Sequence, residues 1–120
     1  MRLERHIGGM GRARTQHYLR QRGWVEVDGE WQSPVDASEP VSMSRALHHQ
    51  LTTDLSAALA GFGWKVAGYS PRGYVSLADP LDGSTCSLPA ALRRQARRQK
   101  CAVKELTYSL FLSQWAVDQP

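Results

Sequence analysis

The chain has 120 residues and a formal net charge of +4, with 42% hydrophobic and 22% charged residues. That length suits one small domain with a core and argues against a multidomain enzyme or a disordered chain. No apolar run reaches the roughly 20 residues of a membrane-spanning helix. Cys86 and Cys101 are too few for a disulfide framework or a four-cysteine zinc site.

The opening segment, MRLERHIGGMGRAR, has no apolar stretch of the signal-peptide kind, so a cytoplasmic protein is expected. His17 to Arg22 has helical character and stops at Gly23-Trp24. Glycine there suits a helix C-terminus, because it adopts a left-handed conformation without steric cost. An extended run over Val25 to Val27, the pair Asp28-Gly29 and then Trp31 read as a hairpin with a tight reversal. Pro34, a polar loop and Ser42-Met43-Ser44-Arg45-Ala46-Leu47 follow.

The central segment is a clear helix. Met43, Ala46, Leu47, Leu51, Leu55, Ala58, Leu59 and Phe62 recur at three and four residues, the spacing of one helical face. Ser42 or Ser44 is placed to cap its start, and Gly61 and Gly63 to end it.

Sliding the chain by 40 residues lays Gly23-Trp24 on Gly63-Trp64. After the second pair, Lys65 to Ala67 reads as a strand, Ser70-Pro71-Arg72-Gly73 as a longer turn, and Tyr74 as the aromatic that follows it. Pro80 then matches Pro34, Ser87 to Leu92 matches Ser42 to Leu47, and Gln95 matches Gln50. The expected fold is α+β: two related helix–hairpin–helix units, products of an internal duplication, in one compact domain over 1–120. The units span about 12–50 and 52–99 and share the central helix, with a helical extension over 100–116. The last helical segment is expected from about Pro89, tolerated in a first turn, to Trp115. A possible break lies near Gln99 and Lys100, where its apolar stripe weakens.

Charge is distributed unevenly. In residues 1–22 six arginines against Glu4 make +5; in 23–92 three basic residues against eight acidic ones make −5; in 93–120 six against two make +4. Two basic ends flanking an acidic body point to an anionic partner. The densest cluster is Arg93-Arg94-Gln95-Ala96-Arg97-Arg98-Gln99-Lys100. On a continuous helix Arg93, Arg97, Lys100 and Lys104 share a face with Arg94 and Arg98 beside them, a display suited to successive phosphates. Arg12, Arg14, Arg20 and Arg22 near the amino terminus, and Arg72 at the second hairpin turn, are further candidates. The opposing possibility is that these cations pair with the acidic body.

Catalytic chemistry is not signalled. His48 and His49 are adjacent, hence about 100° apart on a helix, a poor geometry for one metal. Cys86 lacks the surroundings of an activated nucleophile, and Gly8-Gly9-Met10-Gly11 lacks phosphate-loop spacing. Asp79 and Asp82 beside Pro80 read as turn residues. Trp24 and Trp64 are expected at helix-to-strand corners in the core. No enzyme activity, metal or cofactor is expected.

The order Gly-Trp, strand, Trp31-Gln32-Ser33-Pro34, Ser42 and a helix with Ala46-Leu47 resembles the pattern of methyl-CpG-binding and related small DNA-binding domains, over about 30 residues per unit. The acids Glu26, Asp28, Glu30, Asp36 and Glu39 stand where such a sheet would be basic, so the chain is not assigned to that family. The resemblance implies that phosphate contacts would fall to the basic ends. The expected function is a small non-catalytic protein that binds DNA or RNA through its basic C-terminal helix. The alternative is a phage-type accessory or anti-defence factor, an inhibitor or adaptor acting on a partner's acidic or nucleic-acid-binding surface. A third option is self-association through Leu106, Leu110, Phe111 and Trp115.

Overall fold

The computed structural model describes residues 11–35 and 39–117, the side chains of 115–117 excepted; Arg2, Arg5, Asp36 and the Trp115 side chain therefore lie outside the described residues. Among the described residues, four helices and two small antiparallel sheets make an α+β domain. In chain order they are α1 Arg12–Gln21, β1 Val25–Val27, β2 Glu30–Gln32, α2 Met43–Ala60, β3 Lys65–Tyr69, β4 Val75–Ala78, β5 Thr85–Ser87, α3 Leu88–Arg98 and α4 Val103–Val117. One sheet is the β1-β2 hairpin and the other is ordered β3-β4-β5.

Local chemistry accounts for most boundaries. The Ser42 hydroxyl accepts from the Arg45 amide and starts α2; the Ser87 hydroxyl accepts from the Ala90 amide and starts α3, with Pro89 in its first turn. Asp28 and Gly29 both have positive φ, as a two-residue hairpin turn requires. In the second hairpin the Ser70 amide donates to the Tyr74 carbonyl and the Gly73 amide to the Ser70 carbonyl.

The two Gly-Trp corners are built from the same contacts. Gly23 and Gly63 have φ of +92° and +94°, and a Cβ on either would lie 3.1 Å from Pro34 Cβ or 3.0 Å from Pro80 Cβ. The Trp24 and Trp64 amides reach back to the Leu19 and Leu59 carbonyls, closing a helix end in the same manner. Both indoles are buried. The Trp24 Nε1–H donates to Gln50 Oε1 at 2.8 Å, and the Trp64 Nε1–H donates to Gln95 Oε1 at 3.0 Å. Ser33 and Asp79, each preceding the corner proline, each accept from the amide two residues on, Val35 and Leu81.

The segment from Pro89 to Trp115 is two helices, with the break at Gln99 and Lys100 where the apolar stripe weakens. Lys100 adopts φ +57°, and the amides of Lys100 and Cys101 turn back onto the Arg97 and Ala96 carbonyls, which closes α3. Between the Pro80 turn and α3 lies a strand not expected from the sequence, β5, paired with β4 as Ser76↔Ser87, Leu77↔Cys86 and Ala78↔Thr85; among the described residues the first corner has the bridge Trp31↔Val41 there. Leu106, Leu110 and Phe111 are buried with α2 and α3 in the larger core, so they are not available for self-association. Phe62 is half-exposed, because it lies beyond α2 where the helical period no longer applies.

The core has two parts. Leu19, Trp24, Trp31 and Ala46 form a small cluster at the first corner. Trp64, Val75 and Leu77 join the apolar faces of α2, α3 and α4, together with Tyr18, in the larger one. No described helix is long and apolar enough to cross a membrane.

Candidate functional site

The basic residues separate into those the fold consumes and those it leaves outside. Asp79 is buried at the end of β4, and it draws in two arginines of α3. Arg98 Nη2 lies 2.6 Å and Arg94 Nη1 3.2 Å from Asp79 Oδ2. Arg94 also donates to the Ser84 hydroxyl, and the Arg98 guanidinium lies over the Trp64 ring, 5.4 Å from its centroid. The hydrogen bond from Arg98, with those from the Leu81 amide and Arg94, outweighs burial and lowers the Asp79 carboxyl to about 2. Asp79 is therefore ionised at neutral pH, and the partly exposed Arg94 and Arg98 are both engaged with this buried carboxylate.

A second buried carboxylate, Asp54 on α2, consumes Arg22. Arg22 Nη2 is 3.0 Å from Asp54 Oδ2, and Gln50 Nε2 donates to Asp54 Oδ1 at 2.9 Å. The Tyr18 hydroxyl donates to the same carboxylate. Burial first, then the Asp54 charge, pushes the Tyr18 phenol far above its ordinary range, so it stays protonated and a donor. Arg22 also donates to the Gln114 carbonyl at 2.9 Å, tying the end of α1 to α4. The charged residue in the apolar stripe of α2 was a usable sequence signal, since a charge at a core position is almost always paired. Arg20 pairs with Glu26 at 3.4 Å and lies over Trp31, and Arg14 lies over Phe111.

The side chains of Arg93, Arg97 and Lys100 are exposed and make no ion pair or hydrogen bond among the described residues. Arg93 and Arg97 are one turn apart on the outer side of α3, opposite Leu88, Ala91, Leu92 and Ala96, which are buried. Lys100 follows at the turn that ends the helix. Lys104 and Arg12 are also exposed without such a partner, at the starts of α4 and α1. The helix break separates Lys104 from the α3 face on which a continuous helix would have placed it.

Arg72 belongs to a different place. The turn Pro71 to Gly73 and the first corner together enclose an open cleft of about 240 Å³. Trp24, Trp31 and Val41 supply apolar lining, and Ser33, Arg45, His48 and His49 supply polar groups. Glu39 adds one carboxylate. The His49 ring meets Trp24 edge-on at 5.7 Å, and the His48 ring meets Tyr74 at 5.9 Å, so both imidazoles are held by aromatic neighbours. Arg45 was not singled out from the sequence, and the histidines were weighed only as metal ligands. The usable signal was the helical spacing of Arg45, His48 and His49, which puts three nitrogen-bearing side chains on one exposed side of α2.

Cys86 and Cys101 are free thiols, and burial raises the Cys86 thiol above its ordinary range, the opposite of an activated nucleophile. Among the described residues no group of three or more His, Cys, Asp or Glu side chains is placed to hold a metal. Comparison with known protein families, curated proteins and solved structures finds no match.

Proposed function

We propose that this is a non-catalytic nucleic-acid-binding protein that contacts backbone phosphates through Arg93, Arg97 and Lys100. The observation that carries the reading is the division of the α3 cluster: Arg94 and Arg98 are paired with Asp79, while the side chains of Arg93, Arg97 and Lys100 face water without a partner among the described residues. Cations gathered on one face with no acidic counterpart attract a polyanion, and guanidinium groups suit phosphate oxygens. Lys100 adds support. It takes the left-handed position that glycine takes at the other two helix ends, a conformation costing an ordinary residue roughly 1 kcal/mol or more, and so puts a cation where local stability favours glycine.

The test is a titration of the protein with duplex and single-stranded oligonucleotides at low and moderate salt. Binding at low salt that weakens steeply with salt is expected. Absence of binding to either at low salt would remove this reading in favour of an inhibitor or adaptor that docks on an acidic protein surface.

We also infer that the two corners descend from one duplicated unit. Support comes from the matched Gly, Trp, Pro, Ser and Gln positions and their matched hydrogen bonds. A chimera carrying residues 23–34 in place of 63–80 is expected to fold cooperatively; a chain with no cooperative melt would count against the duplication.

A further inference from the structure

The matched corners differ at the position where a negative charge could sit. In the second corner the residue before the proline is Asp79, whose carboxylate accepts from the Leu81 amide, from Arg98 and from Arg94, the residue just before the indole-binding Gln95. In the first corner the residue before the proline is Ser33, which makes the same turn to the Val35 amide but carries no charge. The residue just before Gln50 is His49. Ser33 and His49 both border the cleft, where the second corner has Asp79 and Arg94. The Arg45 and Arg72 side chains also line the cleft, with no ion pair or hydrogen bond of their own among the described residues.

We propose that the cleft of the first corner binds a terminal phosphate, a phosphate monoester at the end of a nucleic-acid strand or on a free nucleotide, whose anionic oxygens take the place that the Asp79 carboxylate fills in the second corner. Arg45 and Arg72 supply the charge, Ser33 and His49 supply donors, and Val41 and Pro71 add apolar lining beside them. Two arginines lining one concavity are a common means of holding a phosphate. The volume of about 240 Å³ falls below the roughly 300 Å³ at which pockets for larger ligands begin. It suits a phosphate with its sugar. Glu39 partly offsets the positive charge and sets an upper limit on affinity. For a strand end the proposal rests on the nucleic-acid reading above; for a free phosphate monoester it stands alone.

The experiment is calorimetric titration of the full chain with four probes: inorganic phosphate, adenosine monophosphate, and one short single strand with either a 5′-phosphate or a 5′-hydroxyl. The phosphorylated strand is expected to bind at least tenfold more tightly than the hydroxyl strand. Arg45→Gln and Arg72→Gln, both on exposed side chains, should each abolish that preference. Ser33→Asp, which supplies a resident carboxylate as in the second corner, should also abolish it, whereas Ser33→Asn, which keeps the turn without the charge, should retain it. Glu39→Gln should strengthen it. Equal binding of the two strands with no binding of the free phosphates would overturn the cleft proposal and leave the nucleic-acid reading in place. Binding of adenosine monophosphate lost in Arg45→Gln, with no binding of either strand, would uphold the cleft as a free-nucleotide site and remove the nucleic-acid reading. An equal preference in Ser33→Asp and Ser33→Asn would also contradict the proposal, because the charge rather than the substitution is held to matter.

Discussion

The two Gly-Trp corners hold the chain with the same few atoms yet present different chemistry around them. In each, a left-handed glycine packs on a proline and a buried indole donates to a glutamine one helix later. Around the second corner, β5 completes a three-stranded sheet, and the buried Asp79 carboxylate pairs with both Arg94 and Arg98. Around the first, the described residues show one bridge, Trp31↔Val41, in place of the third strand, and Ser33 stands in the position of Asp79, beside a cleft whose arginine side chains have no partner among the described residues. The comparison teaches that corner geometry and surface chemistry are separable. The atoms that shape the backbone are the glycine, proline, indole and glutamine amide. The side chains on either side of them decide whether the corner satisfies its own charges or leaves them for a partner.

The comparison is tested most severely by removing the indoles. Trp24→Ala and Trp64→Ala should each cost about 3–5 kcal/mol, measured by urea denaturation. Trp64→Ala should lie at the upper end or abolish folding, because Trp64 belongs to the cluster shared by α2, α3 and α4 while Trp24 belongs to a cluster of four residues. Equal and small losses would mean that neither indole organises its corner.

Asp79→Asn should have the next effect, destabilising at neutral pH by leaving Arg94 and Arg98 without their counter-charge. The folded carboxyl titrates at about 2 against an ordinary 3.8. In that interval the unfolded chain binds more protons, so stability from Asp79 is complete above about pH 4 and fades as pH falls through about 2. Melts of wild type and variant from pH 7 to pH 2 should converge toward the acid end; a constant gap would show that the carboxylate charge is not what matters.

The smallest effect is at the end of α3. Lys100→Gly should stabilise the fold by up to about 1 kcal/mol, since glycine takes the left-handed position freely, while weakening oligonucleotide binding. Thermal melts and a binding titration on the same variant separate the two effects, and no gain in stability would contradict the strain assigned to Lys100.

Much of this fold was legible because its determinants are local. Serine caps, the Asp28-Gly29 turn, the apolar period of α2 and the glycines that end α1 and precede Trp64 all act within a few residues. The break after Arg98 was visible only as a weakened apolar stripe, because Lys100 takes a position usually held by glycine. β5 was missed because Thr85-Cys86-Ser87 is three residues of weak pattern, stabilised by pairing with β4 rather than by its own composition. The candidate sites were harder. Arg94 and Arg98 looked equivalent to Arg93 and Arg97 in sequence, and only the position of Asp79, fifteen and nineteen residues away, distinguishes them. Arg45 and Arg72 likewise meet at one cleft only after the second hairpin folds back over the first corner.

That distinction among four adjacent arginines is also the most direct test of the functional account. Arg93→Gln/Arg97→Gln and Arg94→Gln/Arg98→Gln remove the same charge from the same helix. The measurement is the slope of log affinity for duplex DNA against log salt, taken for both double variants alongside their melting curves. The account predicts that the outer pair lowers the slope by roughly 0.9 per lost phosphate contact and leaves the melt unchanged, while the inner pair lowers stability and leaves the slope of the folded protein as it was. A slope that falls with the inner pair and holds with the outer one would contradict it.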